Sequence, residues 1–276
     1  MIKDSARGVT EAGSWDSEHS DLAIALASAQ AGAEVVRATG HRSVGLSFKA
    51  DADPVTQADL LSEQAIIDSL SRLCPGDAIV TEEKMVDDPS DQGRVWLIDP
   101  LDGTTNYVHG FPWMAVSVAL WIDNVPTVGV VVNITTGDRY TAVAGEGAWR
   151  NGSRLEVSGT DDLGSALVVT GFPYNRAERT AVCDTRFRRV LETAQGIRRL
   201  GAASLDLCMV ASGRLDGYWE EDLSPWDMGA GVLMVLEAGG KVTDQAGDPV
   251  GTGTPFVVAS NGLIHNHFLQ TLAGDS

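Results

Sequence analysis

Three strand-like runs, at residues 116–122, 127–134 and 139–143, are separated by the turn formers Asp123-Asn124 and Thr136-Gly137-Asp138. This pattern commits the middle of the chain to an antiparallel meander. After Gly159 the order changes: expected strands at 166–170, 196–200 and 215–219 alternate with expected helices at 180–193, 203–212 and 225–237, and such alternation implies helices packed on a sheet. Ahead of the meander, Leu22, Ala25, Leu26, Ala29, Ala33 and Val36 follow helical spacing over 21–37, with Gly40 as the stop. Leu60, Leu61, Ile66, Ile67 and Leu70 mark a second helix over 57–73, ended by Pro75-Gly76. A strand at 78–80 then leads to Thr81-Glu82-Glu83. The expected fold class is α/β, with a polar, flexible arm at 1–20 and two halves, 21–155 and 156–276. No internal repeat is present.

The 276 residues are 43% hydrophobic, enough to bury a substantial core. No apolar run approaches the roughly 20 residues that cross a bilayer, and the N-terminus lacks the order of a signal peptide, so a cytoplasmic protein without a membrane partner is expected. Cys74, Cys183 and Cys208 form no Cys-x-x-Cys pair and suggest neither a disulfide framework nor a zinc site. A net charge of -18 argues against direct nucleic-acid binding. It leaves room for a small anionic substrate where bound cations reverse the local field. Neither a Walker A pattern nor a Gly-x-Gly-x-x-Gly turn after a strand occurs.

The segment WLIDPLDGTTN, residues 96–106, places two carboxylates where an apolar run meets a turn. Asp99 and Asp102 on one extended strand would lie roughly 10 Å apart and face opposite ways. Pro100 is expected to end the strand and Asp102-Gly103 to turn the chain, which would bring both acids to one point. From these residues alone a metal and phosphate site and an ordinary hairpin both remain open.

Other acids fall at the ends of expected elements: Asp59, Glu82 with Glu83, and Asp227. Hard cations such as Mg²⁺ take oxygen ligands of this kind. Local explanations also exist, since Asp59 suits the first turn of a helix and Glu82 and Glu83 suit a solvated loop. Ser224-Pro225-Trp226-Asp227 reads as a helix start with an acid at its third position. A helical turn opening at Gly103-Thr104 would aim free amides at a phosphate, and Gly201-Ala202-Ala203-Ser204 either offers amides or permits close packing.

Taken together, WLIDPLDGTTN and PWDMGAG, residues 225–231, resemble the two signatures of the inositol monophosphatase family. DPVTQAD at 53–59, TEE at 81–83, GFPW at 110–113, TGFPY at 170–174 and GAASLDLCMVASGRLDGYWE at 201–220 extend the similarity. The resemblance implies a layered α/β/α/β/α sandwich of the inositol monophosphatase and fructose-1,6-bisphosphatase type. It also implies a homodimer and an Mg²⁺-dependent, Li⁺-sensitive phosphatase of small phosphorylated polyols with roughly two or three ions per active site. By motif match, Glu82, Asp99 and the Leu101 carbonyl hold one ion, and Asp99, Asp102 and Asp227 another. Thr104, backed by Asp59, orients the attacking water; the Gly103 and Thr104 amides bind phosphate, and Glu83 takes a nearby supporting role. Glu220 matches an acid that binds ring hydroxyls, and Ala203 a contact at a helix start. Ser224 stands where animal enzymes carry His, Lys49 lies near a basic loop residue, and His109 reads as structural. Histidinol phosphate and fructose 1,6-bisphosphate are the alternative substrates, and a protein-interaction role in a transcription complex is the non-enzymatic alternative.

Overall fold

A computed structural model describes residues 20–40, 47–50, 53–83, 93–173 and 176–274. The arm expected at 1–20 lies, except for Ser20, outside the described residues, as does Tyr174 of the TGFPY motif. The first half contains α1 (Asp21–Thr39), the hairpin β1 (Ser47–Ala50) and β2 (Asp53–Val55), α2 (Gln57–Leu73), β3 (Ala78–Thr81), β4 (Arg94–Asp102) and α3 (Thr104–His109). Then come β5 (Ala115–Ile122), β6 (Val125–Asn133), β7 (Arg139–Val143), β8 (Gly147–Arg150) and β9 (Ser153–Arg154). The remainder is β10 (Leu167–Thr170), α4 (Arg176–Thr193), β11 (Gly196–Arg198), α5 (Ala203–Ala211), β12 (Gly217–Glu221), α6 (Pro225–Glu237), β13 (Lys241–Thr243), β14 (Phe256–Ser260) and α7 (His265–Ala273).

Strands β3 to β9 form a seven-stranded sheet in sequence order, antiparallel except for the parallel β3–β4 pair. A five-stranded sheet has the order β11-β10-β12-β14-β13, with β10 parallel to both its neighbours. The helices fill the spaces these sheets leave. α1 and α2 cover one face of the large sheet, α5 and α6 lie between the sheets, and α4 and α7 cover the outer face of the small one. The layering is therefore α/β/α/β/α, as expected. Strand β4 shows why its sequence is a continuous apolar run: Trp96 and Ile98 pack toward α1 and α2, while Val95 and Leu97 pack toward the central helices. Close approach also matters, because a Cβ on Gly229 of α6 would sit 2.9 Å from Leu97 Cδ1. Larger side chains there would lift the helix, and Asp227 with it, off the sheet.

One expectation is corrected. Pro100 does not end the strand; β4 continues to Asp102, and the Pro100 carbonyl accepts from Ser62 Oγ at 2.8 Å. Proline is tolerated because it sits in a bulge, where the pairing skips a step.

Behind the small sheet, His265 is fully buried, its Nε2 2.9 Å from Thr243 Oγ1 and its Nδ1 2.9 Å from Ser260 Oγ. Burial, with some help from Lys241, lowers its pKa from 6.5 to about 4. The unfolded chain therefore binds the proton first, and the stability held above pH 6.5 is lost as pH falls toward 4, by about 3 kcal/mol. Urea denaturation at pH 7 and pH 4.5 tests this: His265→Asn should be less stable at pH 7 but should lose less stability on acidification. Equal pH slopes for the two proteins would remove His265 as the cause.

Candidate active site

The bulge in β4 builds the site. Asp99 pairs with Ser117 and Asp102 with Ala115, so three steps along β4 match two along β5. One extra residue restores the face that odd spacing would have lost, and both carboxylates line the same cleft. Beyond Asp102, Gly103 takes φ 90°, and a Cβ there would come within 2.9 Å of the Trp113 carbonyl. Glycine is thus required both by conformation and by space, and it turns the chain directly into α3.

Asp59 is fully buried at the start of α2. Its Oδ2 accepts from the Thr56 amide at 2.8 Å and from the Thr56 hydroxyl, closing a capping box. Its Oδ1 accepts from Thr104 Oγ1 at 2.8 Å, and the Leu101 carbonyl stands 2.9 Å from the same hydroxyl. Burial raises the Asp59 pKa, and the hydrogen bonds from Thr56 and Thr104 oppose that rise.

The remaining acids come from three other elements. Asp102 receives the Ala203 amide at 3.1 Å, the Ser204 amide at 2.8 Å and the Ser204 hydroxyl, so it caps α5, which has no side-chain cap of its own. The amides at 203–204, which the sequence left open between contact with the substrate's far side and close packing, are taken up by this carboxylate. Asp227 Oδ2 accepts the Ser224 amide at 2.7 Å, and Asp99 Oδ1 accepts the Leu101 amide at 3.0 Å. Burial drives the Asp99 pKa well above the ordinary carboxylate range, followed by the charges of Glu82, Asp102 and Asp227. Burial, then Glu82, does the same for Asp227, and burial lifts Asp102 to about 6.

Four mutually repelling carboxylates gathered at one cleft favour a bound cation, and their hard oxygens suit a divalent ion such as Mg²⁺. Among the described residues no three of these side chains are drawn together closely enough to form a finished cage. Each of Asp99, Asp102 and Asp227 is instead partly engaged with backbone amides. Those bonds orient the ligand oxygens and leave acceptor capacity on every one.

The cleft measures about 240 Å³. Of the residues expected from sequence, Glu82, Asp99, Leu101, Asp102, Gly103, Thr104, Ala203, Glu220, Ser224 and Asp227 all line it. Asp59 lies behind Thr104, and exposed His109 ends α3 outside the lining. Lys49 lies in β1. The lining also contains Arg199 and Phe172, which no pattern in the sequence singles out. Asp206, almost fully buried on α5, is not singled out either; it accepts from Trp113 Nε1 at 2.9 Å. An acid inside an otherwise apolar helix segment, LDLCMV, was the available signal. Asn106 adds a second tie, its Nδ2 reaching the Trp113 carbonyl at 2.7 Å and the Leu200 carbonyl at 2.9 Å. The two ties fasten the turn after α3 to the start of α5.

These features have counterparts in known proteins. A sequence model of the inositol monophosphatase family matches residues 16–275. An inositol-1-monophosphatase of Synechocystis sp. is 42% identical over 221 residues, covering 80% of this chain and 77% of that protein. The Nus factor SuhB of Pseudomonas aeruginosa is 40% identical over 257 residues, covering 91% and 95%. The solved structure of the inositol monophosphatase from Anabaena (Nostoc) sp. superposes with a TM-score of 0.82 at 38% identity, covering 92% of this chain and 95% of that one. The chain belongs to the inositol monophosphatase family, and the activity class that defines it is phosphatase.

Proposed function

We propose that this chain hydrolyses monophosphate esters of inositol or of similar small polyols, with Mg²⁺ as cofactor. The observation that carries the reading is the convergence of Glu82, Asp99, Asp102 and Asp227 on one cleft beside the Asp59–Thr104 pair. In this reading Glu82, Asp99 and the Leu101 carbonyl hold one ion, and Asp99, Asp102 and Asp227 another, for roughly two or three in all. Bound Mg²⁺ would supply Lewis-acid activation and neutralise phosphate charge. Thr104 donates its hydroxyl hydrogen bond to Asp59, keeping its proton, and so turns its oxygen lone pairs toward the attacking water, which it orients in line with the leaving oxygen. The Gly103 and Thr104 amides, at the start of α3, receive the phosphate oxygens. No covalent enzyme intermediate is required. Glu220 and Ala203, both in the lining, are assigned in this reading to the alcohol, and Ser224, also in the lining, to discrimination of the leaving group. Li⁺ inhibition, a homodimeric assembly and a cytoplasmic location belong to the same proposal; among the described residues no helix is long and apolar enough to cross a membrane.

The test is phosphate release from a panel of myo-inositol 1-phosphate, histidinol phosphate and fructose 1,6-bisphosphate, each with and without Mg²⁺. The expected result is Mg²⁺-dependent turnover with the highest kcat/KM for the inositol ester. A preference for either other substrate reassigns the specificity, and release without any divalent ion overturns the cation assignment.

A further inference from the structure

Glu220 enters the cleft from β12, and its carboxylate is seated from two sides. Tyr218, two residues earlier and so on the same face of the strand, donates its hydroxyl to Glu220 Oε2 at 2.8 Å. Tyr218 is completely buried, so its ring cannot swing away and the donor is fixed. The other side is an absence. Thr170 of β10 pairs with Trp219, its hydroxyl 2.8 Å from the Trp219 carbonyl, which brings the next residue, Gly171, against Glu220. A Cβ added to Gly171 would fall directly on the Glu220 carboxylate. Gly171 does not have a positive φ, so the backbone there imposes no need for glycine. What requires the missing side chain is the carboxylate.

We propose that Gly171 and Tyr218 are positioning residues that seat the Glu220 carboxylate to accept hydroxyl groups of a neutral polyol leaving group. This rests on the phosphatase reading and deepens it. Burial raises the Glu220 pKa to about 7 against the hydrogen bond from Tyr218; in its ionised form the carboxylate only accepts hydrogen bonds, so it reads hydroxyl donors and repels a second phosphate. Asp206 lies close enough to feel the Glu220 charge, although burial raises its own pKa well above the carboxylate range, and exposed Arg199, whose charge favours ionised Glu220, is the one basic side chain among the described residues of the lining. Each hydroxyl bond to a charged acceptor contributes enough that misplacing the acceptor by an ångström or so is felt in substrate affinity.

The test compares myo-inositol 1-phosphate with phenyl phosphate, whose leaving group carries no hydroxyl beyond the bond that breaks. Gly171→Ala displaces the flexible end of Glu220 and strains no backbone, so it should fold normally. Its ratio of kcat/KM values, inositol ester over phenyl ester, should fall about tenfold or more, mainly through KM. Tyr218→Phe should lower the same ratio to a smaller extent. Glu220→Ala should lower it at least as far, and Gly171→Ala added to Glu220→Ala should lower it no further. A Gly171→Ala ratio equal to wild type, or independent effects of Gly171 and Glu220 in the double variant, would overturn the proposal. Absence of phosphate release from both esters by the wild-type protein would instead overturn the phosphatase reading beneath it.

Discussion

Asp99→Asn is expected to lower Mg²⁺-dependent phosphate release about 10³-fold, while the metal-free protein melts at the same temperature as wild type or higher. The two halves of this result come from one cause. Asp99 is 3% exposed and stands in the field of Glu82, Asp102 and Asp227, so its charge is costly until a cation offsets it. Asparagine retains an oxygen for the Leu101 amide, which holds the present carboxylate at 3.0 Å, so the bulge keeps its bond. It removes the charge that the fold tolerates for the sake of the site, the usual direction of a stability and activity trade. Mg²⁺ should raise the melting temperature of the wild type in proportion to RT ln(1 + [L]/Kd), and that increment should shrink in the variant. Asp227→Asn should behave alike, since its charge is opposed by burial and Glu82 while the Ser224 amide needs one oxygen only. Thermal melts with and without Mg²⁺, run beside steady-state turnover, check both halves. Full turnover in either variant would remove that carboxylate from the ligand set.

Much of this site is legible locally because its acids sit at the ends of elements whose sequence rules are strong. Asp59 reads as a first-turn acid, and it is one; the same side chain closes the capping box on Thr56 and holds Thr104, 45 positions away in the chain. Asp227 reads as the third residue of a helix opened by Ser224-Pro225, and its Oδ2 takes that role. The cap and a place on the cleft are compatible because they call on different oxygens of one carboxylate. The route that brings Asp99 and Asp102 together was not legible. Strand alternation separates residues three apart, so the sequence points instead to a strand that ends at Pro100 and a turn at Asp102-Gly103. The actual device is a bulge defined by pairing with β5, a partner whose register no local pattern reveals. The same limit hides β14 and α7, whose short apolar runs do not declare a period, and hides Asp102 as the cap of α5, a contact between residues about a hundred positions apart. Local chemistry names the acids; long-range pairing decides what each one caps.

The Asp59–Thr104 pair carries the second large effect. Thr104→Ala should reduce kcat by about 10²- to 10³-fold, the range for losing a positioned group in proton handling, with Mg²⁺ affinity unchanged. Thr104→Ser retains the hydroxyl and should remain within about tenfold of wild type. Asp59→Asn is the sharper variant because it keeps shape and changes polarity. Asp59 Oδ1 now accepts the Thr104 hydroxyl proton, which leaves lone pairs on Thr104 Oγ1 to accept from water. An amide nitrogen at that position would donate to Thr104 instead, push the hydroxyl proton onto the Leu101 carbonyl 2.9 Å away, and occupy a lone pair the water needs. If the amide flips, the Thr56 amide and hydroxyl lose their acceptor and the helix start weakens by about 1 kcal/mol. A role confined to capping α2 predicts lower stability with full turnover in the folded fraction. A role in orienting water predicts the reverse, with a fall in kcat far larger than any change in melting temperature, and rapid-quench measurement of the first turnover distinguishes the two. Normal first-turnover rates in Asp59→Asn would confine Asp59 to the helix cap and leave Thr104 to act without it.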